Sequence, residues 1–164
     1  MRLSTRGRYA VMAMVELAAR QHLHGKLPAR SGQVSLAEIA QAQRLSLAYL
    51  EQLFGPLRRA GLVASARGPG GGYRLARPAH AISISDVVLA VDEPIQATRC
   101  HEGGPGCLDG QRCLTHDLWA ELGDQIRQFL DGVTLADVIC RQVVGRAAPP
   151  RSAVEVPAKP AGSG

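Results

Sequence analysis

The fold is decided by one stretch of sequence, residues 35–76, which reads SLAEIAQAQRLSLAYLEQLFGPLRRAGLVASARGPGGGYRLA. Ser35 with Glu38 three residues later is a capping box, which predicts a short helix that reaches about Gln43. Ser46 caps a second, longer helix that ends in basic residues. Two short helices separated by a tight turn are typical of a helix-turn-helix, although an ordinary helical hairpin would give the same pattern.

The end of this stretch predicts a wing. LVASA and YRLA are expected to form two short strands, joined by the glycine turn RGPGGGY. Backbone amides and arginines at such a basic tip can approach DNA phosphates or enter a minor groove. A plain hairpin turn is the alternative. A nucleotide-phosphate loop is excluded, because no Lys-Ser/Thr follows the glycines and no helix begins there.

Helices are also predicted on both sides of residues 35–76. The first runs from Thr5 to about His22, with an apolar stripe assigned to Tyr9, Met12, Val15 or Glu16, and Ala19, widened by Ala13 and Leu17. ISDVVLAVDE follows the wing, with Ser83 or Ser85 as its cap. LADVICRQVV is a last short helix capped by Thr134, in which Cys140 is expected to be a small buried hydrophobic residue.

The segment LTHDLWAELGDQIRQFLDG is predicted to be a long amphipathic helix. Its apolar residues recur at steps of about four, and they are Leu114, Leu118, Leu122, Ile126 and Leu130 or Phe129. Such a face beyond a winged domain must be buried against another surface. A second copy of the chain is the economical partner, since DNA half-sites are commonly read by two-fold dimers. Packing against its own domain is the alternative.

Composition favours a polyanionic partner. The 164 residues carry a net charge of +5, and they are 46% hydrophobic but only 4% aromatic. No run of 18 apolar residues is present, so no membrane span is expected. The basic and then apolar N-terminus contains Glu16 and lacks a small-residue cleavage site, which favours a mature helix in a cytoplasmic protein.

The segment RCHEGGPGCLDGQRCLTH is a candidate metal-binding loop. Its ligand pattern is Cys100-x6-Cys107-x5-Cys113-x2-His116. Thiolate-rich sets of this kind select zinc or iron–sulfur, and the spacing alone leaves both open. His101 is an alternative to His116. The many glycines of this loop disfavour a buried or disulfide-bonded role for its cysteines.

Candidate DNA contacts fall into three groups. Base contacts are expected from the start of the second helix of residues 35–76, at Ala48, Tyr49, Glu51 and Gln52. Phosphate contacts are expected from Arg2, Arg6, Arg8, Arg58, Arg59 and Arg67. The wing backbone is expected to contribute at Gly70 and Gly71. A solvated surface charge is the alternative for Glu51.

With these residues in view, the chain resembles the IscR-like family of iron–sulfur cluster regulators, which are winged-helix bacterial repressors. The resemblance covers residues 1 to about 145, and the segments that carry it are MRLSTRGRYAV, SLAYLEQLF, RGPGGGY and VDEPIQATRC. The interval between Cys100 and Cys107 is one residue longer than in the family pattern. The loop at 24–34 is also longer than usual.

This resemblance implies a 2Fe–2S cluster, held by the ligand set Cys100, Cys107, Cys113 and His116. It implies a homodimer that binds promoter DNA, controls iron–sulfur assembly genes and receives its cluster from the iron–sulfur assembly machinery. The alternatives are a cluster-based repressor that senses nitric oxide or another oxidant, an electron carrier, and a structural zinc protein. No catalytic constellation is present, so an enzyme is not expected.

The predicted fold is therefore mainly α with a small β-wing. Its expected parts are a winged helix-turn-helix domain over 1–98, a cluster-binding loop over 99–117, dimerisation helices over 114–145 and a disordered tail over 146–164.

Overall fold

The computed structural model describes residues 4–24, 32–68, 70–91 and 113–144. The described elements, in chain order, are α1 Thr5–His24, α2 Leu36–Gln43, α3 Leu47–Arg59, β1 Val63–Ala66, β2 Gly72–Leu75, a 3-10 turn Ala79–Ala81, α4 Ile84–Val91, α5 His116–Gly132 and α6 Leu135–Ile139. The strands β1 and β2 form an antiparallel hairpin. The predicted class, mainly α with a small β-wing, is confirmed.

Side-chain caps set the starts of the helices around the turn. The Ser35 hydroxyl accepts from the Glu38 amide, and the Glu38 carboxylate accepts from the Ser35 amide, as the capping box predicts. Arg44 then takes a left-handed conformation that ends α2. The Ser46 hydroxyl caps α3, which continues through Pro56 to Arg59.

Helix α1 lies at the centre of the core, but its buried face differs from the predicted stripe. The fully or nearly fully buried side chains are Ala10, Ala13, Met14, Leu17 and Ala18. Met12 and Ala19 are only half-buried. The stripe is therefore rotated by about one residue, and the elements that pack most against α1 are α4 and α6.

A polar network fixes α2 on α1. The Glu16 carboxylate accepts from Arg20 Nε at 2.6 Å and from Gln43 Nε2 at 2.9 Å. Arg20 also lies 3.9 Å from the carboxylate of Glu38. Glu38 and Gln43 stand near opposite ends of α2, so the network holds the first helix of the turn at both ends.

The C-terminal helices are joined to the winged part by backbone bonds. Ile84 donates to the Val133 carbonyl at 2.8 Å, and Leu135 donates to the Ile82 carbonyl at 3.0 Å. At the same place Ser83 caps α4 through the Asp86 amide, while Thr134 forms a capping box with Asp137. The predicted cap of α6 at Thr134 is confirmed.

The last helix is shorter than predicted, and Cys140 is not buried. Helix α6 ends at Ile139, and Cys140 is its exposed C-cap. Arg141 has a positive φ of 55°, which turns the backbone out of the helix. The expectation of a buried Cys140 was wrong for that reason. None of the described helices is long and apolar enough to cross a lipid bilayer.

Candidate nucleic-acid interface

Helix α3 has one buried and one polar face. Its buried side chains are Leu50, Leu53, Phe54 and Leu57, all at 0% exposure. The opposite face is exposed and carries the predicted contact residues Ala48, Glu51, Gln52, Arg58 and Arg59. Residues three, four and seven apart share a face of a helix, so these five side chains lie on one side of α3, in two groups with Gly55 between them. The amide and carboxylate stand at its start and the two guanidinium groups at its end.

Tyr49 lies off this surface. Its ring is half-buried and packs edge-on against Tyr9, with 5.9 Å between the ring centroids. The guanidinium carbon of Arg8 stands 5.8 Å from the Tyr9 ring centroid. The Tyr9–Tyr49 contact therefore brings the start of α1, with the exposed Arg6 and Arg8, beside the start of α3. Arg2 lies outside the described residues.

The tip of the wing is a tight turn of backbone. The Gly71 amide donates to the Gly68 carbonyl at 2.8 Å, so this amide, predicted to face DNA, is used inside the turn. Gly70 and Arg67 are exposed. A Cβ at Gly71 would lie 2.5 Å from the Ala66 oxygen, and one at Gly72 would lie 2.6 Å from the Val34 oxygen. Only glycine fits such close approaches of backbone.

The wing is joined to the helix-turn-helix by three kinds of contact. Val34, just before α2, pairs with Tyr73 through backbone bonds of 2.9 and 2.8 Å. The Tyr73 ring stands edge-on to Phe54 of α3, with 4.8 Å between centroids. Arg58 Nη1 donates to Ser65 Oγ at 3.4 Å. Arg58 is therefore a link between α3 and β1 as well as a predicted phosphate contact.

Sequence reasoning missed Ser65 as a residue of this surface. Ser65 became visible as a partner of Arg58 only through the register of the hairpin, which places Ser65 opposite Tyr73. Arg74, the arginine at the other end of the predicted glycine turn, is exposed on β2, where it pairs with Ala64 of β1. Its signal was present in the sequence, since it ends the basic and glycine-rich run RGPGGGYR.

Two of the four predicted metal ligands are described, and they lie in one backbone turn. His116 is the first residue of α5, and its backbone amide donates to the Cys113 carbonyl at 3.0 Å. The His116 side chain is buried, while Cys113 is half-buried with its Sγ 3.5 Å from Thr115 Oγ1. Cys100, Cys107 and the alternative ligand His101 lie outside the described residues. Within residues 4–24, 32–68, 70–91 and 113–144, no three His, Cys, Asp or Glu side chains form a group that could hold a metal ion.

Comparison with known proteins gives consistent matches. Residues 3–141 match the sequence model of the Rrf2 family, described as an iron-dependent transcriptional regulator. The HTH-type transcriptional regulator IscR of Yersinia enterocolitica is 51% identical over 142 residues, which cover 87% of this chain and 81% of that protein.

Solved structures give the same picture. CymR, the global cysteine regulator of B. subtilis, superposes with a TM-score of 0.69 at 35% identity, over 86% of this chain and 98% of that one. IscR of T. potens superposes with a TM-score of 0.66 at 37% identity, over 86% of this chain and 88% of that one.

Proposed function

This chain belongs to the Rrf2 family of DNA-binding transcriptional regulators, and from that premise we propose that it is a regulator of the IscR type that senses iron–sulfur status. The expectation that it is not an enzyme is confirmed by the family. The proposal is that a 2Fe–2S cluster on the C-terminal side changes how the chain binds the promoters of iron–sulfur assembly genes. It acts in the cytoplasm and receives its cluster from the assembly machinery.

The observation that supports this DNA-binding surface is the direct contact between α3 and the wing, through Phe54 with Tyr73 and Arg58 with Ser65. Ala48, Glu51 and Gln52 stand on the exposed face of α3 and are assigned to base edges in the major groove. Gln52 can pair with adenine, and Glu51 can accept from the amino group of cytosine. Because phosphates repel a carboxylate, Glu51 acts mainly by rejecting wrong sites.

Several arginine side chains lie near the exposed face of α3 that is assigned to the bases. Arg58 and Arg59 at the end of α3, Arg67 at the wing and the exposed Arg6 and Arg8 at the start of α1 are assigned to phosphates. Arg2 is assigned likewise from the sequence. Gly70 and Gly71 shape the tip so that backbone can approach the duplex closely.

We assign the apolar face of α5 to a homodimer. Leu118, Trp119, Leu122 and Phe129 are all exposed large side chains on one helix. A second copy of the chain would cover them and would place two α3 helices on the two half-sites of an operator. Residues 1–98 would then be the DNA-binding part and residues 114–145 the dimerisation part, while residues 146–164, predicted from the sequence to be a disordered tail, lie outside the described residues.

The donor set fits an iron–sulfur cluster. Cys100, Cys107 and Cys113 would supply thiolates, and His116 would supply a neutral imidazole that lowers the negative charge of the site. When bound, the cluster supplies a redox-sensitive and labile centre. Cys113 and His116 stand within one turn at the start of α5, so residues 99–117 lead directly into the proposed dimer helix. A change at these ligands can therefore alter how the two reading helices are presented.

Absorption spectroscopy with iron and sulfide analysis, after anaerobic purification, tests the cluster. Cys100→Ala, Cys107→Ala and Cys113→Ala should each abolish the visible absorption, and Cys140→Ala is the matched control that should keep it. A colourless wild-type chain with one zinc ion would contradict the proposal. Footprinting of the holo and apo protein on the promoter of its own gene tests regulation, and identical footprints would contradict a sensing role.

A further inference from the structure

Strand β2 pairs with the segment before α2 through a single antiparallel residue pair. Val34 and Tyr73 exchange both backbone hydrogen bonds, at 2.9 and 2.8 Å. In an antiparallel ladder the next pair to exchange bonds lies two residues further along each strand. That pair is Gly32 and Leu75, and the Leu75 amide would donate to the Gly32 carbonyl.

The side chain of Gln21 occupies the place of that bond. Gln21 Oε1 accepts from the Leu75 amide at 3.0 Å, and Gln21 Nε2 donates to the Gly32 carbonyl at 2.5 Å. A carboxamide carries the same donor and acceptor as a peptide group, so it extends the ladder by one inserted unit. The residues it joins are 54 and 11 positions away from it in the chain.

This insertion connects three elements at one point. Gln21 is on α1, Gly32 leads into α2, and Leu75 is the last residue of β2. A cavity of about 430 Å³ opens beside it, lined in part by His22, Arg74 and Arg77. The cavity gives water access to the Leu75 amide once the carboxamide is removed, and water would then replace a fixed protein contact.

We propose that Gln21 is a positioning residue for DNA binding, which fixes the wing relative to α3 without touching DNA. This inference rests on the proposed contact between the wing and the duplex. Gln21 holds the base of β2, and the tip with Arg67 stands at the other end of the same hairpin. A loosened base lets the tip move away from the position in which α3 and the wing contact one duplex together.

Amide hydrogen exchange of the free protein tests the structural half of this inference. Gln21→Met keeps the length of the side chain and removes both hydrogen bonds. The Leu75 amide should exchange about fivefold faster, the factor that corresponds to a net hydrogen-bond contribution of about 1 kcal/mol. Gln21→Ala should do the same, and Gln142→Ala, an exposed glutamine beyond α6, is the control. Unchanged protection of Leu75 in both Gln21 variants would overturn the inference.

DNA binding tests the functional half. The probe is a duplex enriched from a random-sequence pool by the wild-type chain. Gln21→Met should bind it about fivefold more weakly and with a smaller salt dependence, as Arg67→Ala should. The double variant should bind no more weakly than Arg67→Ala alone, because both changes remove the same wing contact.

The outcomes separate the two proposals. Faster exchange at Leu75 with unchanged DNA affinity would overturn the positioning role, since Gln21 would then be only a structural bridge. Additive losses in the double variant would overturn it as well. If Arg67→Ala binds as tightly as the wild type, the proposed wing contact fails instead, and the positioning role falls with it even though the exchange result stands.

Discussion

Helices α3 and α5 are both amphipathic, but within residues 4–24, 32–68, 70–91 and 113–144 only α3 has its apolar face covered. The four large apolar side chains on the inner face of α3 are fully buried, at 0% exposure. In α5, Leu118 is 61% exposed and Phe129 43% exposed, and the buried residues are His116 and Leu130. The hydrophobic effect acts on both helices in the same way. Covering the exposed apolar face of α5 with another surface would therefore add stability.

The largest effect is expected at the buried face of α3. Phe54→Ala should lower the free energy of unfolding by about 3–5 kcal/mol, since it opens a cavity and removes the contact with Tyr73. Urea denaturation followed by circular dichroism measures this. A loss below about 1 kcal/mol would mean that the core collapses around the gap, and the contrast with α5 would weaken.

A smaller effect on stability, but a large one on assembly, is expected at the exposed face of α5. Leu122→Glu would bury an unpaired carboxylate in a dimer, which should weaken association by roughly 3 kcal/mol. Sedimentation equilibrium should then show single chains whose winged part is still folded. Gln128→Glu, on another side of the same helix, is the control. An unchanged mass for Leu122→Glu would place the partner of this face within the chain.

The polar face of α3 should respond in specificity rather than in stability. Glu51→Ala removes a repulsive carboxylate, so affinity for poor sites should hold or rise. Discrimination at the base it faces should fall by about 1–3 kcal/mol. Competition binding with a panel of single-base variants measures this. If the ranking of sites stayed the same, Glu51 would be a solvated charge and recognition would rest on Gln52.

The smallest effect is expected at the N-terminal cap of α6, where the C-terminal helices are joined to the segment before α4. Hydrogen bonds from the backbone and hydroxyl of Thr134 hold the pKa of Asp137 below its ordinary value. A pKa that is lower in the folded than in the unfolded chain stabilises at higher pH, and this stabilisation is lost as the pH falls below about 4.

Urea midpoints between neutral pH and about pH 3 should therefore show wild type and Asp137→Asn converging on acidification. Asp131→Asn, an exposed carboxylate in α5, is the control. A gap between wild type and Asp137→Asn that did not change with pH would assign the effect of the substitution to geometry rather than charge.

Local signals in the sequence predicted most of the winged part. Ser35 and Glu38 gave the start of α2, and its bounds Leu36–Gln43 are those of the structure. The strands are likewise within one residue of LVASA and YRLA. These elements are specified by neighbours three or four positions apart, which is the range over which capping and periodicity act.

The features that could not be predicted from the sequence depend on residues that are distant along the chain. The buried side of α1 was set by the helices packed against it, and its many alanines made the periodicity ambiguous. The bond from Arg58 to Ser65 and the insertion of Gln21 depend on the tertiary approach of separate elements. The early end of α6 follows from the positive φ of Arg141. Arginine rarely adopts a positive φ, so the sequence does not predict a helix end at this residue.

The close backbone contacts at Gly71 and Gly72 have a consequence for how the wing tolerates variation. Both glycines are restrained by oxygens of the chain itself, at Ala66 and Val34. A saturation library selected only for folded protein should therefore already retain glycine at both positions. Arg67 should vary freely in that library and become restricted only when survival also requires operator binding.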